Sequence, residues 1–173
     1  LLIFVEVKRI NLKFSIMKNY RVPKNLLSTN NAKTIKGEGK GVITYIMYLA
    51  PFTQNSKGIN LCSHASPGCA KACLFNSGAA RFDRVQEGKI NKTEYFLADR
   101  KGFLEQLDGE IAKIERKFAK IDDAIPAIRL NGTSDIPFEK FKIRDGKNIF
   151  ELYPNIQFYD YTKNHFRFRK TLA

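Results

Sequence analysis

The sequence predicts an α/β fold: parallel strands joined by helical crossovers, arranged as a partial (β/α) barrel or an open sheet. Three observations carry that prediction. Runs rich in β-branched and aromatic residues recur at 42–49, 127–130 and 156–161. Helical patterns separate these runs, and strand–helix alternation favours parallel strands. The connections are also long enough for crossovers, which a parallel pair requires. Three strand–helix units are too few to close an eight-stranded barrel. The chain stops at residues 171–173, soon after a strong strand, so the domain reads as truncated at its C-terminus.

The elements follow in order. Residues 1–16 precede Met17 and read as an upstream extension, with 17–173 as a single, incomplete α/β domain. The rival reading of 3–7 (IFVEV) is a native strand, because it is β-branched. Basic residues follow this apolar run, which is the reverse of a signal peptide. Residues 28–41 are polar and glycine-punctuated, hence a loop. Gly37, Gly39 and Gly41 lack phosphate-loop spacing and lead into a strand, not a helix. Residues 42–49 (VITYIMYL) form a buried strand ended by Pro51.

After a cysteine-bearing loop, 91–98 reads as helical, and Asp99 as the N-cap of a second helix to about Lys120. There Phe103, Leu107, Ile111, Ile114, Phe118 and Ile121 make one apolar stripe at helical period. Pro126 ends the helical region before the strand at 127–130. The turn cluster 131–137 (NGTSDIP) follows it. A short turn and helix within 143–152 precedes the strand at 156–161 (IQFYDY).

The charge balance bears on partners. Lys plus Arg is 30 against 17 Asp plus Glu, a net charge of +13. Residues 1–60 carry 10 basic and only 2 acidic side chains, so the surplus is concentrated near the N-terminus. Such a surplus raises encounter with polyanions, which makes nucleic acid or another anionic ligand the expected partner. The longest uncharged stretch, 41–56, has 16 residues and contains Pro51. That is short of the ~20 apolar residues a membrane span needs, so no membrane partner is expected.

The sharpest signal is CSHASPGCAKAC, which holds all three cysteines, Cys62, Cys69 and Cys73, within 12 residues. An odd number cannot pair completely, which argues against a disulfide-stapled scaffold. Thiolates are soft ligands, and three on one Pro-Gly loop can close around one metal centre. Zinc would want a fourth ligand, for which His64 is the candidate. An iron–sulfur cluster could take three thiolates and leave one iron open. Three buried thiols without a metal are the plain alternative.

Four segments carry a family resemblance: STNNAKT at 28–34, the cysteine loop with Cys62, ASPGC and Cys73-Leu74, RLNGTSDIP at 129–137, and QFYDYTKN at 157–164. Together they resemble the bacteriophage gene product 88 domain family. The resemblance implies phage or prophage origin, a bacterial host's cytoplasm, and more chain at the C-terminus. The Ser-Pro-Gly-Cys piece is also similar to phage proteins related to radical S-adenosylmethionine enzymes. That likeness implies a four-iron, four-sulfur cluster on Cys62, Cys69 and Cys73, with S-adenosylmethionine as co-substrate. The spacing here is C-x6-C-x3-C, whereas the usual radical motif is C-x3-C-x2-C. The alternative is a zinc-stabilised nucleic-acid-binding or interaction protein.

In parallel α/β folds, sites gather at the C-terminal ends of strands. That places Asn131, Thr133 and Ser134 as candidate cofactor-binding residues. Asp135, Asp160 and Lys163 are the candidate catalytic residues. The plain reading of 131–135 is a set of turn and cap residues. If the loops serve one cofactor, they should share one sheet edge and enclose one pocket.

Overall fold

Four strands form one open sheet in the order β1–β2–β3–β4. The computed structural model describes residues 20–29 and 41–167. The expectations for 1–16, for Gly37 and Gly39, and for 168–173 fall outside the described residues. Strand β1 (Leu27–Ser28) runs antiparallel to β2 (Val42–Met47). Strands β3 (Ile125–Arg129) and β4 (Gln157–Phe158) continue the sheet in parallel, with Thr44 opposite Ala127 and Ile128 opposite Phe158. The predicted α/β class and the parallel register of the three main strands are therefore present. Of the two arrangements, the open sheet is the one formed.

The strand limits have local causes. Gly41 takes φ +72° where the chain enters β2, and a Cβ there would lie 2.7 Å from the Asp123 carbonyl. Pro126 sits inside β3 instead of before it. It is tolerated because β4 pairs only from Ala127 onward, so the missing N–H faces no partner. Strand β4 is shorter than the 156–161 run suggests. Tyr159 N–H still donates to the Ile128 carbonyl, and at the next residue the Asp160 side chain accepts the Asn131 N–H where the ladder ends.

Between β2 and β3 come α1 (Pro67–Lys71), α2 (Asp83–Ala98) and α3 (Arg100–Phe118). Helix α2 begins eight residues earlier than its apolar pattern indicates, because 83–90 is polar and interrupted by Gly88. Asp99 caps α3 as expected, its carboxylate accepting the Gly102 N–H at 2.9 Å. The stripe of α3 is buried at Phe103, Leu107, Ile111, Ile114 and Phe118. Each such side chain contributes about 1.5–3 kcal/mol on leaving water. Ile121 lies past the helix end and is 37% exposed, so the stripe stops one turn before the sequence pattern does.

The stripe packs on the sheet with Met47, Leu49, Ile128 and Leu130 in one core. Phe96 joins α2 to this core through Phe103, at 5.2 Å between ring centres. Helix α4 (Ile149–Leu152) is a single turn fixed by a capping box between Asn148 and Glu151. Among the described residues no helix is long and apolar enough to cross a membrane.

Candidate functional site

Because β2, β3 and β4 run parallel, the segments leaving their C-terminal ends are neighbours at one sheet edge. The segment after β3 is the most tightly built. Gly132 N–H donates to the Met47 carbonyl at 2.9 Å, drawing the turn against the end of β2. A Cβ on Gly132 would stand 2.6–2.7 Å from Tyr48, Ile46 and Met47, so only glycine fits. Asn131, 1% exposed, directs this turn. Its Oδ1 accepts from Ser134 Oγ and Ile136 N–H, and its Nδ2 donates to the Ile136 carbonyl and Asp160. Thr133 Oγ1 donates to the Leu49 carbonyl. Asn131, Thr133 and Ser134 are thus buried and directed inward, holding the shape of the edge.

The two aspartates are joined to the same frame. Asp160 accepts from Asn131 Nδ2 at 2.7 Å and stands 3.6 Å from Arg129 Nε. That nitrogen is buried without a hydrogen bond, and the guanidinium lies 4.6 Å from the Tyr161 ring. Burial holds the Asp160 carboxyl above its ordinary range, although Asn131, the Tyr161 N–H, Arg129 and Arg167 each pull it down. Asp135 is only 7% exposed. It accepts from Arg167 Nη1 at 2.8 Å, Thr162 Oγ1 at 3.0 Å and Lys163 N–H at 2.9 Å. Lys163 joins this set through its backbone, while the residue itself is exposed. Arg167 also grips Glu139 with two bonds of 2.8 Å. The sequence reading missed this clasp, since nothing local ties Arg167 to Asp135 or Glu139.

The cysteine loop lies against the same edge. Asp135 N–H donates to the Leu61 carbonyl, and the Cys62 thiol faces the Thr133 carbonyl at 3.5 Å. Ser66 caps α1 by accepting the Cys69 N–H, with Pro67 in the first turn. Cys73 follows that helix in extended backbone and caps the next turn. Its sulfur accepts the Phe75 N–H at 3.5 Å, and buried Phe75 anchors the loop's far end. Burial, above all, pushes the Cys62 thiol up to about 12, and Cys73, Asp135 and Cys69 push in the same direction. Cys69 and Cys73 thus both lie within electrostatic reach of Cys62. Among the described residues, however, no three His, Cys, Asp or Glu side chains are gathered closely enough to hold a metal ion. His64 is exposed.

Helix α2 contributes two groups that the sequence reading did not single out. Glu94, 7% exposed, accepts from Ser56 N–H and Ser56 Oγ and ties down the loop after β2. Lys89, equally buried, lies over the rings of Tyr48 and Phe75 at 5.7 and 5.0 Å. Burial pushes its ammonium down and Cys73 pulls it back, which places Lys89 beside the cysteine loop.

A cavity of about 660 Å³ takes Asp160 and Thr162 on its wall, but none of the cysteines and none of 131–135. It lies beside Ile128, Leu130, Phe150 and Phe158. This cavity therefore draws on one of the three loops only.

No curated protein and no solved structure matches the chain. Residues 25–173 match the family described as gene product 88, a span that includes every strand and helix above. The chain belongs to the gene product 88 family.

Proposed function

We propose that this phage protein is an iron–sulfur enzyme of the radical S-adenosylmethionine-like kind, acting in the cytoplasm of a bacterial host. Cys62, Cys69 and Cys73 would hold its cluster. The observation that carries the reading is the confinement of three thiols to one short loop, held by Cys62 against Thr133 at the C-terminal edge of a parallel sheet. The donor set fits a cluster better than a single zinc ion. Ligands of one ion at ~2.3 Å must crowd together and, for zinc, number four. Cluster ligands each bind a different iron and stand farther apart. Three thiols on one loop, with His64 exposed, suit the second case. When bound, such a cluster supplies an electron to S-adenosylmethionine.

The chain's own residues take supporting roles in this reading. Asn131, Thr133 and Ser134 act as positioning residues, since their hydrogen bonds are directed inward. Asp160, with a raised carboxyl and a place on the 660 Å³ cavity, is the stronger candidate for handling a proton. Asp135 holds Thr162 and Lys163 in place, and Lys163 presents an exposed amine beside them.

The test is anaerobic loading of the full-length phage protein with iron and sulfide, followed by absorption spectroscopy and titration with S-adenosylmethionine. A charge-transfer band that the titration perturbs, and that a Cys69→Ala variant lacks, is the expected result. One tightly held zinc per chain with no cluster would overturn it. That outcome would favour a zinc-stabilised nucleic-acid-binding protein, which the net charge of +13 also suits.

A further inference from the structure

We propose that Lys89 is the anion-docking residue of the cysteine site, receiving the carboxylate or phosphate of a small molecule bound against loop 62–73. The inference rests on the reading of that loop as the functional site. It goes further by naming a residue and a ligand chemistry that neither the motif nor the family supplies.

Lys89 is 7% exposed, with its aliphatic stem packed away and its Nζ still in contact with solvent. Among the described residues its Nζ donates no hydrogen bond and forms no ion pair. Its neighbours on the helix differ. Lys92 Nζ donates to the Leu26 carbonyl at 2.7 Å, and Glu94 is matched to Ser56. What holds Lys89 is the pair of ring faces of Tyr48 and Phe75, whose quadrupoles attract a cation without consuming its N–H donors. The three donors of Nζ are thus left for another acceptor.

Placement supplies the second half. Tyr48 directly follows β2, and Phe75 is two residues past Cys73, so the ammonium lies where the strand end and the cysteine loop converge. Helix α2 is fixed there by Thr93, whose Oγ1 accepts the Ala50 N–H at 2.8 Å one turn beyond Lys89. Lys89 brings a cation to this end of the cysteine loop. An ammonium set against ring faces binds carboxylate or phosphate through charge-assisted hydrogen bonds.

The experiment titrates the full chain, before and after iron and sulfide loading, with inorganic phosphate and separately with acetate. Binding is followed by calorimetry and by NMR of isotope-labelled lysine, with the Lys89 signal assigned by its loss in Lys89→Arg. The expected result is a saturable shift of the Lys89 signal by at least one probe, while the exposed Lys101 signal stays put. Lys89→Met should weaken that binding about 10-fold or more, and Lys89→Arg should restore most of it. The two probes separate a phosphate ligand from a carboxylate ligand. A Lys89 shift no greater than that of Lys101 overturns the proposal. So does binding by a folded Lys89→Met variant within about 2-fold of the parent. If Lys89→Met does not fold, the shift in the parent decides alone. Failure of iron loading counts against the iron–sulfur reading only, because the titration of the unloaded chain still tests Lys89.

Discussion

The segments 131–135 and 62–73 meet at one edge of the sheet, yet they are stabilised in different ways. In the first, Asn131, Thr133 and Ser134 are buried and each polar side chain has a partner inside the protein. Asp135 is clasped by Arg167, Thr162 and Lys163. In the second, only Leu61 and Phe75 at its flanks are buried, and its short helix buries no residue. Its bonds are mostly local, with Cys62 to Thr133 the main link across to the frame. Satisfied buried polar networks rigidify and specify a structure. A loop whose donor atoms are not spent internally keeps them for a ligand. The first segment is therefore scaffold and the second is where chemistry is expected.

Substitutions can break that contrast, beginning with the largest effect. Gly132→Ala forces a Cβ into the backbone and side chains of β2, and should cost about 3 kcal/mol. Urea unfolding would measure it, and a loss near zero would mean that the edge is not rigid. Asn131→Ala removes four side-chain hydrogen bonds and leaves Ser134 Oγ and the Ile136 N–H without their acceptor, and should cost about 2–3 kcal/mol by the same assay. Arg167→Ala leaves the 7% exposed Asp135 without its cation. About 1–2 kcal/mol is expected, since Thr162 and the Lys163 N–H still serve Asp135.

The pH response of Asp160 sharpens the picture of the frame. Burial raises its folded carboxyl above the ordinary value of 3.8. The folded state therefore takes up this proton at a higher pH than the unfolded state does. The associated stability is fully present below 3.8 and is lost as pH rises through the raised value. Asp160→Asn removes that slope, so the stability of the parent relative to the variant should decline from acid toward neutral pH in parallel denaturation curves.

The smallest stability effect belongs to the cysteine loop. Cys69→Ser and Cys73→Ser should change the stability of the metal-free chain by less than about 1 kcal/mol, as partly exposed positions usually do. A larger loss would make the loop part of the scaffold. Reactivity should separate the cysteines more sharply. With its thiol pushed up to about 12, Cys62 should alkylate at least about 10-fold more slowly than an ordinary free cysteine at pH 8, read by peptide mass spectrometry.

Much of the architecture was legible in the chain itself. The three strand runs, the Asp99 cap and the stripe from Phe103 to Phe118 rest on local periodicity and capping chemistry, and these are encoded residue by residue. So was the confinement of the cysteines to one loop. The two-residue β1 carries too little pattern to be read, and the early start of α2 is hidden by a polar segment that tertiary packing makes helical. Strand β4 is shorter than its pattern, and just past it the Asp160 side chain accepts the N–H of the distant Asn131.

The candidate site divides along the same line. The sequence by itself determined which chemistry is available: three soft thiols, two aspartates and a polar turn cluster at 131–137. Only the tertiary structure decided which polar groups spend their hydrogen bonds inside the protein and which keep them. Asn131 and Asp135 are consumed by partners about 30 residues away, at Asp160 and Arg167. Lys89, which no motif marks, is set between two rings beside Cys73. Local pattern fixes a residue's conformation, whereas its hydrogen-bonding state depends on what the fold brings within 3 Å of it.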